Sequence, residues 1–540
     1  MEHTMKKNPP RKFGDRTAAD LRFIKFAYTL LTVSLIIGMV AGIRIIQNKS
    51  ELGVRSIFSK AKIAEVFIRW NMSRGNFQEA AASVTREGNG PAQSVPILLY
   101  HGILPEWDGT LTNISRERFR EHMFALKAAG YETISLDDLR QFLKGQKELP
   151  PKAVMITFDD GRKDSYYESD PIFATLGMRA VMFQIAKFAL SEENNYYLTR
   201  NELAMIEENG RWDTGSHGFE GHGMIPNRGG GQSPFYTTLA IDPETGSEES
   251  FEAYQSRIRA DLAKSQESLS SYLKKPIPDF ALPFGDFGQH LHNDIYTKAV
   301  LQEAGSIYDM IFFQEASPYR FTQVVQEHAD IPWHLVRRIN VNPQITGIEL
   351  LQLLERGRAK DLPYEASLTN SDGWVEGWNQ AIADGALELI PATEASGAAV
   401  ILDGSQTWRD YSVRAEIETN NRGVYVWTRF KDDRNNVACN FGNGFAHVEQ
   451  ILDGQKNVLR GIRSPELGVP QRAVIEARVT GRTLSCLIDG KVIVSSSFLD
   501  PSLDRGGIGF KTWDAVIKSS LKIYSLTVTP ITQEGEKDES

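Results

Sequence analysis

The stretch Ala153-Val-Met-Ile-Thr-Phe-Asp-Asp-Gly161 decides how this chain is read. Ala153 to Phe158 have the nearly unbroken apolar pattern of a parallel strand buried on both faces. Asp159 and Asp160 follow, and Gly161 permits a sharp turn. Adjacent carboxylates repel each other, so a fold holds them most readily where a cation sits. Further on, Gly215-Ser-His-Gly-Phe-Glu-Gly-His222 sets two imidazoles, His217 and His222, five residues apart. Two His and one Asp make a three-ligand set that leaves an open position on a metal such as zinc. The spare carboxylate then serves as general base toward an attacking water. Asp-Asp-Gly alone is equally a good turn sequence. Spacing by itself therefore supports a candidate metal site and no more.

The surroundings alternate strands with helices. Pro96 to Tyr100 reads as a short apolar strand, and Ser115 caps a helix with buried stripe Phe119, Met123 and Leu126, ending at Gly130. Tyr131 to Leu136 and Arg179 to Ile185 are strand-like. Asp137 opens one helix, and Thr199 another that Gly210 stops. Such alternation predicts parallel strands with helices outside. Chemistry in such barrels gathers at the C-terminal strand ends. The Asp pair and His101 both fall at predicted strand ends, so one mouth is expected to hold them.

Together these residues resemble the polysaccharide deacetylase family with the NodB-homology domain (carbohydrate esterase family 4). The family's Thr-Phe-Asp-Asp-Gly motif is matched in full at Thr157 to Gly161. The resemblance implies Asp159 as catalytic base, and Asp160, His217 and His222 as ligands of a divalent metal. Zinc is expected ahead of cobalt or nickel. A His spacing of five, rather than the commoner four, is similar to the branch acting on poly-N-acetylglucosamine. Val95-Pro-Ile-Leu-Leu-Tyr-His101 and Pro283-Phe-Gly285 also match. They imply that Phe284, through its backbone N–H, and Pro283 meet the oxyanion and substrate. The implied fold is a distorted (β/α) barrel with fewer than eight repeats.

Two departures stand out. Ala281 occupies the position where the family has an Arg that orients the catalytic Asp. No Leu-x-His follows Arg337-Arg-Ile-Asn-Val341 to supply the general acid, which leaves His101 and His334 as substitutes. Gly229 to Ser250, rich in Gly and Pro, is expected to be a mobile loop beyond the second His, and a lid role for it is open.

After Leu362-Pro363 the pattern changes to short alternating strands: Tyr411 to Ile417, Gly423 to Phe430, Ala473 to Val479, Leu484 to Ile488 and Leu521 to Thr527. Asp489-Gly490 is a hairpin turn. An all-β sandwich is expected over 365–532. Trp408-Arg-Asp-Tyr411, Leu487-Ile-Asp-Gly490 and Gly506-Gly-Ile-Gly509 resemble concanavalin A-like, laminin-G-like jelly rolls. That resemblance implies a carbohydrate-binding module. Of Trp374, Trp378, Trp408, Trp427 and Trp513, one or two are expected to be exposed and the rest core. Cys439 and Cys486, the only two cysteines, admit a disulfide or two free core thiols.

The N-terminal Phe26 to Ile43 is an uncharged apolar run of 18 residues between Lys25 and Arg44. It is near the lower limit for crossing a bilayer. No small-x-small cleavage site follows, so an uncleaved signal anchor over 26–46 is expected. Basic residues precede it (Lys6, Lys7, Arg11, Lys12, Arg16, Arg22, Lys25), so residues 1–25 are expected in the cytoplasm. The rest then faces the periplasm or exterior of a bacterial inner membrane. Residues 47–93 read as a helical stalk ending in the linker Glu87 to Ser94, and 94–356 as the barrel.

A net charge of −9 argues against nucleic acid as partner. The expected partners are an acetylated polysaccharide, the membrane, and proteins of exopolysaccharide synthesis or export. The reading is a multidomain, metal-dependent deacetylase of an exported or envelope glycan. A catalytically weak glycan-binding or export adaptor, and a structural envelope protein, remain the alternatives.

Overall fold

The computed structural model describes residues 51–85, 90–289, 294–314, 324–325, 334–369, 372–452, 454–498 and 500–531. The expected cytoplasmic tail and membrane anchor lie outside them. Among the described residues no helix is long and apolar enough to cross a membrane.

Helix α1 (Glu51–Ala82) leads into the barrel. Val66 and Ala81 are buried, and Trp70 and Phe77 set their rings 5.1 and 5.7 Å from Phe124. The expected stalk is therefore a packing element laid on the barrel's outer helices. Phe67, beside Val66 on this helix, is 59% exposed.

The barrel comprises β1 (Ile97–Tyr100), α2 (Arg116–Ala128), β2 (Glu132–Thr133), α3 (Leu136–Leu143), β3 (Ala153–Phe158) and α4 (Lys163–Leu176). Then follow β4 (Ala180–Gln184), α5 (Arg200–Asn209), β5 (Trp212–Ser216), α6 (Phe251–Leu273), β6 (Asp279–Ala281), α7 (Asp294–Gly305), β7 (Met310–Gln314), β8 (His334–Asn340) and α8 (Gly347–Gly357). Strands run in the order β1-β8-β7-β6-β5-β4-β3, all parallel, and β3 pairs back onto β1. Seven strands thus close the barrel, and the short β2 hooks onto β3. Local signals explain the helices. Ser115 caps α2 through Arg118 N, Ser135 and Asp138 form a capping box on α3, and Thr199 and Glu202 do so on α5. Met155, Val181, Phe183 and Phe312 fill the barrel interior, while Val154, Ile156 and Phe158 pack outward under the helices. Both faces are buried, which is why β3 reads as continuously apolar.

The insertion expected to be mobile carries structure. Met224–Pro226 pairs with Gln232–Pro234, and Arg257 of α6 bonds to Phe235 O, Thr238 O and Glu249.

The C-terminal domain is a two-sheet antiparallel sandwich. Its strands are β9 (Trp374–Trp378), β10 (Gln380–Ala383), β11 (Leu387–Ile390), β12 (Gly397–Leu402), β13 (Tyr411–Thr419), β14 (Val424–Asp432) and β15 (Asn435–Gly442). They continue as β16 (Phe445–Leu452), β17 (Gln455–Arg463), β18 (Arg472–Thr480), β19 (Thr483–Ile488), β20 (Lys491–Ser497), β21 (Gly507–Trp513) and β22 (Leu521–Pro530). One sheet runs β9-β12-β21-β14-β15-β16-β17, the other β10-β11-β22-β13-β18-β19-β20, with Tyr364–Glu365 added on β22. Asp489 and Gly490 make the expected two-residue hairpin, both at positive φ. Cys439 on β15 and Cys486 on β19 form a disulfide that joins the sheets. Trp374, Trp408 and Trp427 are buried and Trp513 is exposed, while the Trp378 side chain lies outside the description.

Candidate metal and hydrolytic site

The C-terminal ends of the strands build the site. β3 delivers Asp159 and Asp160; Asp160 and Gly161 both take positive φ, 71° and 72°, turning the chain sharply at the mouth. A Cβ at Gly161 would collide with the Gln184 side-chain oxygen. His101 follows β1, the immediate neighbour of β3, and its Nε2 lies 4.0 Å from Asp159 Oδ2.

His217 follows β5. It is almost fully buried, and its Nδ1 donates to Ala281 O at 2.8 Å, which leaves Nε2 facing the carboxylates. His222 ends a loop built on one carboxylate of α6. Asp261 accepts from Phe219 N at 3.0 Å, Glu220 N at 2.8 Å and the Tyr236 hydroxyl at 2.6 Å. That wrapped loop is the physical content of the five-residue spacing. His222 Nε2 then stands 3.1 Å from Asp160 Oδ1, and His217 Nε2 stands 3.6 Å from the same atom.

The ligand atoms of Asp160, His217 and His222 all lie within 4.8 Å of one another. Asp160 Oδ1 is buried and makes no well-directed hydrogen bond despite the nearby imidazoles. Three converging donors that do not satisfy each other fit a divalent cation. Burial pushes the His217 imidazole down to about 4, so it is neutral at pH 7 and offers a lone pair. Burial also acts on His222, but Asp160 outweighs it and holds His222 above its usual value.

Asp159 is held by Arg338 of β8 in a bidentate pair, Nη1–Oδ1 2.5 Å and Nη2–Oδ2 2.8 Å. Both side chains are essentially buried. Burial raises the carboxyl, but Arg338 and the flanking imidazoles overcome it and keep Asp159 below the ordinary carboxylate range. Arg338 thus does the work expected of the missing Arg at 281. It arrives from a different strand, 179 residues from its partner.

The other expected residues divide. Pro283 is buried in the turn after β6, and Phe284, at φ 61° and 44% exposed, places its ring 4.9 Å from that of His222. Burial lowers His101, and its Nδ1 has no hydrogen-bond partner. His334 starts β8 opposite Met310, the first residue of β7. That is the far end of the barrel, about 13 Å of strand from Arg338, so His334 does not join the site. Arg338, Asp261 and Gln184 are the residues that sequence reading missed.

A closed βα barrel thus carries at its mouth a His-His-Asp cluster that could hold a metal ion, beside an Arg-held carboxylate. Residues 146–304 match the family described as polysaccharide deacetylase, and the chain carries a polysaccharide deacetylase domain. A Bacillus subtilis (strain 168) protein, YxkH, named provisionally as a polysaccharide deacetylase, is 32% identical over 116 residues, 22% of this chain and 39% of that one. The poly-beta-1,6-N-acetyl-D-glucosamine N-deacetylase of Escherichia coli (strain K12) is 24% identical over 218 residues, 38% of this chain and 32% of that one. The chain thus spans about two fifths or less of these relatives' lengths. A solved de-N-acetylase from Aggregatibacter actinomycetemcomitans aligns over 48% of this chain and 99% of its own, at TM-score 0.40 and 20% identity.

Proposed function

We propose that this protein is a metal-dependent deacetylase of an N-acetylglucosamine-type polysaccharide outside the cytoplasm. The observation that carries the reading is the Asp160–His217–His222 cluster lying beside the Arg338-held Asp159. A divalent ion, zinc ahead of cobalt or nickel, held by that cluster supplies Lewis-acid polarisation of the acetyl carbonyl. Asp159, kept ionised by Arg338, takes a proton from the attacking water as the new C–O bond forms. The Phe284 N–H and the Pro283 turn border the developing oxyanion. His101 rests neutral, so it acts as a relay: the proton held by Asp159 passes through it to the leaving amine as the C–N bond breaks. Acetate and a free amine result.

The disulfide supports an oxidising compartment, and the apolar run Phe26 to Ile43 supports anchoring in an inner membrane near export proteins. Ala281 and the missing Leu-x-His acid motivate the adaptor alternative, and Arg338 answers the first of these. Acetate release from acetylated glucosamine oligomers, with zinc or cobalt supplied, tests the reading. Release that stops with chelator and in Asp159→Asn is expected. A protein that binds metal yet releases no acetate from any acetylated glycan would sink it.

A further inference from the structure

Helix α1 has two faces, and the barrel uses one of them. On the inner face Val66 and Trp70 pack on α2, Lys62 Nζ pairs with Glu168 of α4 at 2.7 Å, and the Thr175 hydroxyl of α4 donates to Ile63 O at 3.4 Å. The outer face leaves two large apolar side chains in solvent, Phe67 at 59% exposure and Met72 at 74%. Between them runs Ala61, Ala64, Ile68, Asn71, Gly75, Gln78 and Ala82, exposed except for the half-buried Ile68. These seven recur at alternating steps of three and four, which is the a/d seam of a heptad pattern. Gly75 sits inside the helix, where glycine is a poor choice. A Cβ there would meet no atom of the described residues within 4 Å, so packing inside this chain does not call for it. A second helix approaching closely from outside would.

The residues beside the seam say which helix that is. In a parallel pair of helices, a g residue of one meets the e residue five positions on in the other. With Ala61 at a, the g residues are Lys60, Phe67 and Arg74, and the e residues are Glu65, Met72 and Glu79. Two parallel copies of α1 therefore set Lys60 against Glu65, Phe67 against Met72 and Arg74 against Glu79, each pair twice. Antiparallel copies would set Lys60 against Arg74 and Glu65 against Glu79, like charge on like. Residues five apart are not neighbours on one helix, so this matching serves nothing within a single α1. The Glu65 side chain is half exposed and meets Arg69 and Arg120 through Oε1, which leaves Oε2 for a further cation.

We propose that the outer face of α1 is a homodimer interface, on which the α1 of a second copy of this chain packs in parallel. Small seam residues let the two backbones approach, and the Phe67–Met72 contacts close over them. The inner and outer faces lie on opposite sides of the helix, so the two barrels flank the pair without meeting. Nothing here depends on the deacetylase reading or on a membrane anchor.

The test is disulfide trapping and sedimentation of the purified full chain in detergent. Cys439 and Cys486 are locked to each other, so an added cysteine reports alone. Ala64→Cys and Asn71→Cys, on the seam, should oxidise to a covalent dimer, and Asn76→Cys, off the seam on the same helix, should not. In sedimentation the dissociation constant should rise about ten-fold in Arg74→Glu and return to wild type in Arg74→Glu/Glu79→Arg. Arg74 and Glu79 are exposed, so neither change threatens folding. A monomer at all concentrations, trapping at Asn76→Cys as strong as on the seam, a cross-link to a different protein, or a dimer indifferent to Arg74→Glu would overturn the interface.

Discussion

Arg338 is the residue on which the proposed chemistry turns. A bidentate guanidinium both aims a carboxylate and keeps it charged. Replacing it with Met leaves burial opposed only by the flanking imidazoles, so the Asp159 carboxyl stays protonated to higher pH. Stability linked to Asp159 is present above its unfolded pKa and is lost as pH falls through the depressed folded value; Arg338→Met removes that depression. The acid limb of the kcat/KM profile should move to higher pH, with a stability loss of about 3–5 kcal/mol from the unpaired buried charge. An unmoved acid limb in folded Arg338→Met would show that Arg338 does not tune the base. His222 carries a second pH signature. Asp160 holds its imidazole above the usual value, and a metal must displace that proton. Zinc affinity, read by chelator competition, should therefore rise with pH through the neutral range. A flat dependence would remove His222 from the ligand set.

At the scale of elements, strand ends were readable and helix contributions were not. Asp159, Asp160 and His101 each stand just beyond the C-terminus of a strand whose apolar run marks its own end, so the sequence reading puts them in one mouth, whereas His217 follows Trp212–Ser216, a strand with no such run. Arg338 left only a faint signal. Val336 fills the barrel interior, so Arg338, two residues on, faces inward as well. An Arg at an interior strand position needs a carboxylate, but sequence alone cannot say that the partner is Asp159, in a strand that closes the barrel from the other end of the fold. Asp261 left no signal at all, because an Asp on a long polar helix ordinarily faces water. In the fold it collects two backbone N–H groups and a tyrosine hydroxyl, and so fixes where His222 stands. Asp261→Ala should weaken zinc binding about 10- to 100-fold while circular dichroism stays unchanged. Unaltered affinity would mean that the loop holds its shape without that carboxylate.

The whole molecule has separate hydrophobic cores in barrel and sandwich, with contacts at the seam such as Trp408 Nε1 donating to Lys360 O at 2.6 Å. The disulfide belongs wholly to the sandwich and closes a chain separation of 47 residues. Restricting an unfolded loop of that length contributes about 4 kcal/mol on the chain-entropy account. Cys486→Ser should therefore act on one domain only. Calorimetry of the full chain should show two transitions, with the sandwich transition lowered and the barrel transition in place. Acetate release at assay temperature should match wild type, because every residue assigned to that chemistry lies on the barrel. If the two transitions fall together, the seam couples the domains into one cooperative unit, and a substitution in the sandwich would then reach the barrel site through stability alone.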